Sequence, residues 1–187
     1  MSKRMGFVIN TKRCIGCRTC TVACKMETNV SLGVSRIRVL NAKNTMVFDK
    51  PVGKYPYTNE SWVTVPCQHC KNAPCVKVCP SGASQKREDG VVFIDKDKCI
   101  GCRYCVWSCP YGARQFDEEN KVVDKCTMCM HRTDEGKIPM CVNVCMGRAI
   151  TYGDLNDPTS EVYQLVHSKP VRILKPEQGT EPSVFYF

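Results

Sequence analysis

Long apolar runs, nucleotide-binding glycine loops and catalytic histidine clusters are all missing from this chain of 187 residues. No stretch approaches the roughly 20 consecutive apolar residues of a membrane-spanning helix, so any membrane link is expected to come through a partner. The N-terminal residues MSKRMGFVIN contain neither the apolar core of a secretory signal nor a twin arginine. Without a G-x-G-x-x-G or G-x4-G-K-[ST] string, nicotinamide, flavin and nucleotide binding have no phosphate cradle. Histidine is scarce, limited to His69, His131 and His167, and no free nucleophile stands beside a base as acyl-transfer chemistry requires. Acidic residues are in deficit, 18 against 27 basic, giving a net charge of +9. The basic residues lack the interleaved aromatics of a single-strand groove, so no nucleic acid partner is expected.

Cysteine is abundant instead, with sixteen residues in four groups of four and none left over. The groups are Cys14, Cys17, Cys20, Cys24; Cys67, Cys70, Cys75, Cys79; Cys99, Cys102, Cys105, Cys109; and Cys126, Cys129, Cys141, Cys145. Such density means that a covalent or inorganic scaffold replaces much of the hydrophobic core, in a chain long enough for one large domain or two small ones. Disulfides need an oxidising compartment, and tight C-x-x-C loops close on metals more readily than on each other. Zinc draws two ligands from each of two separated knuckles, whereas groups one and three place three cysteines in one short loop. The run C-x2-C-x2-C-x3-C-P, complete at residues 99–110, is the bacterial ferredoxin spacing. It wraps three corners of an iron-sulfur cubane and sends the last ligand to a neighbouring cluster. Four 4Fe-4S clusters are therefore expected, and part of the basic excess offsets their negative charge. A cubane held by four thiolates has no open iron position, so the expected use is single-electron transfer, and the chain is not an enzyme by itself.

The cysteine groups are internal repeats. CIGCR occurs at residues 14–18 and again at 99–103, each time after a short apolar run (Phe7, Val8, Ile9; Val91, Val92, Phe93, Ile94) and a basic turn. C-V-x-V-C, followed by Ala four residues beyond the last cysteine, occurs at 75–83 and 141–149. This reads as an α+β fold of two ferredoxin-like modules, with short helices over residues 21–27 and 104–108 and short strands over 83–86, 113–116 and 149–152. Residues 33–66, with Ile37 and Val39, Met46 and Phe48, then Trp62, Val63 and Val65, read as a β-rich insertion. Residues 154–187 read as a helix carrying Val162, Leu165 and Val166, a strand over 171–174, and an apolar C-terminus suited to docking on a partner. His69, inside Cys67-Gln68-His69-Cys70, is read as a hydrogen-bond donor to a cluster sulfur rather than a ligand; Tyr104, Trp107 and Tyr111 as packing that excludes water. Arg18, Lys25 and Arg103 either ease the addition of an electron or are simply solvated. Spacing alone allows the groups to pair one with two and three with four, or otherwise.

The strings CIGCRTCTVACKMET, CQHCKNAPCVKVCPSGA, DKDKCIGCRYCVWSCPYGA and DKCTMC, with GDLNDP at 153–158, resemble the iron-sulfur electron-transfer (B) subunits of complex iron-sulfur molybdoenzymes, of the dimethyl sulfoxide, polysulfide and thiosulfate reductase type. The resemblance implies crossed ligand sets: Cys14, Cys17, Cys20 with Cys145; Cys126, Cys129, Cys141 with Cys24; Cys67, Cys70, Cys75 with Cys109; and Cys99, Cys102, Cys105 with Cys79. It implies an outer module (residues 1–32 and 120–153) into which an inner one (67–119) is inserted, with the insertion at 33–66 and a docking extension at 154–187. Some relatives carry Trp in the third group and hold a 3Fe-4S cluster; Cys102 stands there in this chain, so four 4Fe-4S clusters remain the expectation. The implied partners are a molybdopterin (Mo or W) catalytic subunit and a membrane quinol-binding subunit or another donor or acceptor, working in anaerobic respiration in either direction. A diffusible polyferredoxin-type carrier serving a formate dehydrogenase or hydrogenase is the alternative function, and a zinc scaffold the outsider. The location is expected to be cytoplasmic, or the far face of the membrane by export with a signal-bearing partner.

Overall fold

The computed structural model describes residues 2–41, 52–54, 56–59 and 61–187; Met46 and Phe48 of the expected insertion lie outside these. The described chain is a small α+β structure in which short strands and short helices alternate around the cysteine loops. Met5–Ile9 forms the middle of a three-stranded sheet, antiparallel to Ile150–Asp154 and parallel to Val184–Tyr186. The Phe7, Val8 and Ile9 run that precedes the first CIGCR string is buried on both faces, as the middle strand of a covered sheet must be.

The other strands make two-stranded ribbons: Ile37–Asn41 with Trp62–Pro66, Val52–Lys54 with Tyr57–Asn59, Ser84–Lys86 with Val92–Ile94, and Gln115–Asp117 with Val122–Asp124. The boundary expected between residues 119 and 120 falls in the turn of the last of these, so one hairpin joins both flanking segments. Two-stranded ribbons are marginal alone. Here they are held by the cysteine loops and by helix Thr19–Thr28, which packs on Met140–Asn143 and buries Cys20 and Cys24. Helix Glu161–Ser168 buries Val162 against the central sheet, with Leu165 and Val166 partly buried beside it.

The apolar C terminus joins the chain's own sheet. Val184 and Tyr186 are fully buried in the chain's own sheet, so their apolar surface is already used internally. The expected strand over 171–174 reduces to one bridge, Arg172 to Tyr186. The same tail clamps the second cysteine loop: Ser183 N–H donates to Gln68 O at 2.8 Å, Lys71 N–H to Glu181 O at 2.9 Å, and Tyr186 Oη accepts from Gln68 Nε2 at 3.2 Å. No helix among the described residues is long and apolar enough to cross a membrane.

Candidate metal centres

Two cavities define the site. Cys14, Cys17, Cys20 and Cys145 line one, with Val39, Thr64 and Ile150 closing it. Cys67, Cys70, Cys75 and Cys109 line the other, with His69, Val92, Tyr111 and Arg114. Each combines three cysteines of one group with the last cysteine of another. Elsewhere Cys24 lies within charge-interaction range of Cys126 and Cys129, and Cys141 within range of those three and of Cys20. Cys105 adjoins Cys79 and Cys99, with Cys102 half-buried in the same loop. Among the described residues no three His, Cys, Asp or Glu side chains converge as they would on one metal ion, which Zn–S distances of about 2.3 Å would demand. The thiols stand around a space instead, and a donor set of soft sulfur around a space fits a multi-iron group.

The repeat signatures have local causes. Gly16 and Gly101, the glycines of the two CIGCR loops, sit at φ of +70° and +69°. A Cβ at Gly16 would lie 2.5 Å from the Trp62 indole, and one at Gly101 would lie 2.6 Å from Lys121 O with Phe116 beside it. Each loop thus turns in the left-handed region beneath an aromatic cover that only glycine lets approach. The alanine four residues beyond the last cysteine also has a role in the structure. The backbone N–H of Ala113 donates to Cys109 Sγ at 3.5 Å and that of Ala149 to Cys145 Sγ at 3.1 Å, while Ser84 N–H reaches Cys79 Sγ at 3.4 Å. Burial opposes ionisation of Cys79, yet these contacts and Ser81 bring its thiol below the usual range.

Buried cations mark the inner loops. Lys125 is 1% exposed; its Nζ donates to Cys126 O at 2.5 Å and to Val92 O. Arg114, equally enclosed, donates to Ser84 Oγ at 2.5 Å and faces Cys75, Cys105 and Cys67. Burial pushes the Cys67 thiol up, but Lys125 and His69 outweigh it and hold it well below its ordinary value. Burial pushes Cys70 up to about 12, against the opposing effect of a hydrogen bond with Thr180. Around the fourth group the cation is already spent: Arg36 pairs with Asp124 through two contacts of 2.9 Å, both side chains buried. Burial and the neighbouring sulfurs push Cys24 up to about 12 and Cys141 well above the usual range.

Other sequence readings resolve unevenly. Tyr111 is buried, its hydroxyl paired with Thr180 Oγ1 at 2.5 Å, and it packs as expected. Tyr104 and Trp107 do not exclude water: they are 55% and 75% exposed, because helix Tyr104–Trp107 turns only Cys105 inward. Arg103 stacks 3.7 Å over Phe116 and pairs with Glu118. Arg18 lines the first cavity, and Lys25 Nζ donates to Ser31 O at 3.4 Å. His131 meets Glu27 at 2.9 Å, and His167 stacks on Tyr163 at 3.9 Å, both at the surface. Spacing carried no sign of Lys125, Arg36 or Arg114, which look like any other basic residues in a chain rich in them.

Comparison with known proteins agrees with this chemistry. Residues 58–155 match the model of the 4Fe-4S dicluster domain family. The chain is 43% identical over 187 residues to the B subunit of tetrathionate reductase of Salmonella typhimurium, covering 98% of this chain and 72% of that one. It is 42% identical to a putative dimethyl sulfoxide reductase iron-sulfur B subunit of Halobacterium salinarum (97% and 78% covered). It is 40% identical to the B subunit of selenate reductase of Mesobacillus selenatarsenatis (96% and 70% covered). Sixteen cysteines around thiol-lined spaces, a matching dicluster domain and relatives that are B subunits along nearly the whole chain lead to one conclusion: the chain belongs to the iron-sulfur electron-transfer B subunits of molybdoenzyme complexes.

Proposed function

We propose that this electron-transfer subunit holds four 4Fe-4S clusters in crossed ligand sets. It would work between a molybdopterin catalytic subunit and a quinol-linked membrane subunit or other redox partner in anaerobic respiration. The proposed sets are Cys14, Cys17, Cys20, Cys145; Cys24, Cys126, Cys129, Cys141; Cys67, Cys70, Cys75, Cys109; and Cys79, Cys99, Cys102, Cys105. The observation that carries this reading is the pair of cavities, each lined by three cysteines of one group and the last of another. When bound, the clusters supply one-electron transfer at positions with no open coordination site.

The chain's own residues support an order among the sets. Cys20 adjoins Cys141, His69 adjoins both Cys67 and Cys126, and Arg114 faces both Cys75 and Cys105. The Cys14 and Cys99 sets are then the two ends. Both ends carry exposed apolar side chains: Ile15 (62% exposed) and Met146 (71%) at one, Ile100 (68%) and Trp107 at the other. Such side chains suit contact with fixed partners more than the solvated surface of a diffusing carrier. The names of the relatives point to a catalytic partner that reduces oxidised sulfur or selenium compounds.

Anaerobic purification tests the proposal. The brown chain is expected to copurify with a large pterin-containing subunit and to hold about 16 iron and 16 sulfide. A colourless zinc protein without acid-labile sulfide would refute it, and a brown monomer running alone would point to the carrier.

A further inference from the structure

We infer that His69 is a hydrogen-bond donor shared by two ligand sets, its Nε2–H directed at the sulfurs of Cys67 and Cys126. The inference rests on the sets proposed above and assigns a positioning residue between them. The ring is wholly enclosed, 1% exposed. Its Nδ1 accepts the Val92 N–H at 3.0 Å, and a nitrogen that accepts carries no proton, so the ring proton is on Nε2. Nε2 makes no hydrogen bond of ordinary geometry to any oxygen, nitrogen or sulfur among the described residues. A buried donor left so costs about 1–3 kcal/mol, and the groups this one faces are the two sulfurs.

Three segments hold the imidazole in that orientation. Val92 donates its N–H to His69 and its carbonyl accepts from Lys125 Nζ, which also reaches Cys126 O. From the C-terminal tail, Ser183 Oγ donates to His69 O at 3.0 Å. His69 itself sits at φ of +42°, a left-handed conformation that its neighbours must maintain. The second loop, the Val92 strand and the tail therefore meet at this ring, and the fourth group begins beside it.

An N–H donated to a cluster thiolate favours the more negative, reduced state and raises the potential. One donor between two sets acts on both at once, so the two interior potentials are linked through a single side chain.

The test uses the whole chain in its complex, kept anaerobic, with all four midpoint potentials followed by electron paramagnetic resonance. His69→Leu is expected to keep its iron and lower two midpoints, each by about a tenfold loss in the reduction equilibrium, or 59 mV for one electron. The other two are expected to stay in place, and His69→Gln, which keeps an N–H donor, to recover part of both shifts. A fall in only one midpoint, or in none, at full iron content would overturn the shared donor. Wild-type protein with far less than about 16 iron would instead overturn the ligand sets. Should His69→Leu fail to load, wild-type protein carrying histidine labelled with ¹⁵N in the imidazole ring alone decides, because His131 and His167 lie at the surface on Glu27 and Tyr163. Pulsed resonance is expected to find ¹⁵N coupling on two cluster signals; coupling on one or none would overturn the inference.

Discussion

The loop of Cys67, Cys70 and Cys75 and that of Cys126, Cys129 and Cys141 are buried to a similar depth, yet their electrostatic surroundings are opposite. Beside the first, Lys125 and Arg114 are enclosed cations with no acidic side chain paired to them among the described residues, and both face Cys67, although Lys125 also donates to the carbonyl of Cys126 in the second loop. Beside the second, Arg36 is already paired with Asp124, which Lys96 also approaches at 3.4 Å. A charge on a buried group acts across a low dielectric, whereas a neutralised pair contributes little at a distance. The net charge of +9 therefore says less about this chain than where two of its cations are buried. The consequence is a potential difference: a cluster on the Cys67 set should be the easier of the two to reduce.

The strongest way to break that contrast is Lys125→Met. Loss of the ammonium should lower the midpoint of the Cys67-set cluster by on the order of 100 mV, since a unit charge a few ångströms away at an effective dielectric near 20 is worth a few kcal/mol. The Cys24 set should move less, and equal shifts in both would show that the contrast is not local.

A smaller effect concerns loading of the apo chain. Ligand thiols must lose their protons to bind iron, so occupancy rises with pH wherever they are still protonated. The Cys67 thiol is held well below its ordinary value by Lys125 and His69 despite burial, whereas Cys141 and Cys24 are held high by burial and neighbouring sulfurs. Raising the pH from about 7 to 9 during anaerobic reconstitution should favour the Cys24 set by roughly one proton in slope. Iron uptake scored by cluster-specific resonance signals checks this, and identical slopes would contradict it. The smallest effect sharpens the contrast from the other side. Lys71 neighbours Cys70 in sequence but is 63% exposed and paired with Glu181, so Lys71→Met should leave every midpoint nearly unchanged.

The sequence made the repeats legible because cluster loops have rigid spacing. CIGCR needs its glycine under an aromatic cover, and the alanine beyond the last cysteine marks a turn whose N–H meets sulfur. Strands beside the loops were legible from short apolar runs such as Phe7, Val8 and Ile9. What stayed hidden depends on contacts between distant residues. Val184 and Tyr186 look like a loose apolar tail until they pair with Met5–Ile9, more than 170 residues earlier in the chain. Trp107 carries the composition of a core residue but sits on a helix too short to bury two faces. Lys125 and Arg36 have no periodicity that separates them from solvated basic residues, and only burial reveals them. His69 was legible as a neighbour of sulfur, but its place between Cys67 and Cys126 was not, because Cys126 is 57 residues further along.

The crossing of ligands between groups is the central claim, and Cys24→Ala tests it most directly. Cys24 shares a helix with Cys20 but adjoins Cys126, Cys129 and Cys141, over a hundred residues away. Cluster-resolved resonance and iron analysis of the anaerobic variant should show the cluster of the fourth group lost or converted to a three-iron form, with the cluster of Cys14, Cys17 and Cys20 intact. Loss of the Cys14 cluster, with that of Cys126, Cys129 and Cys141 unchanged, would contradict the account.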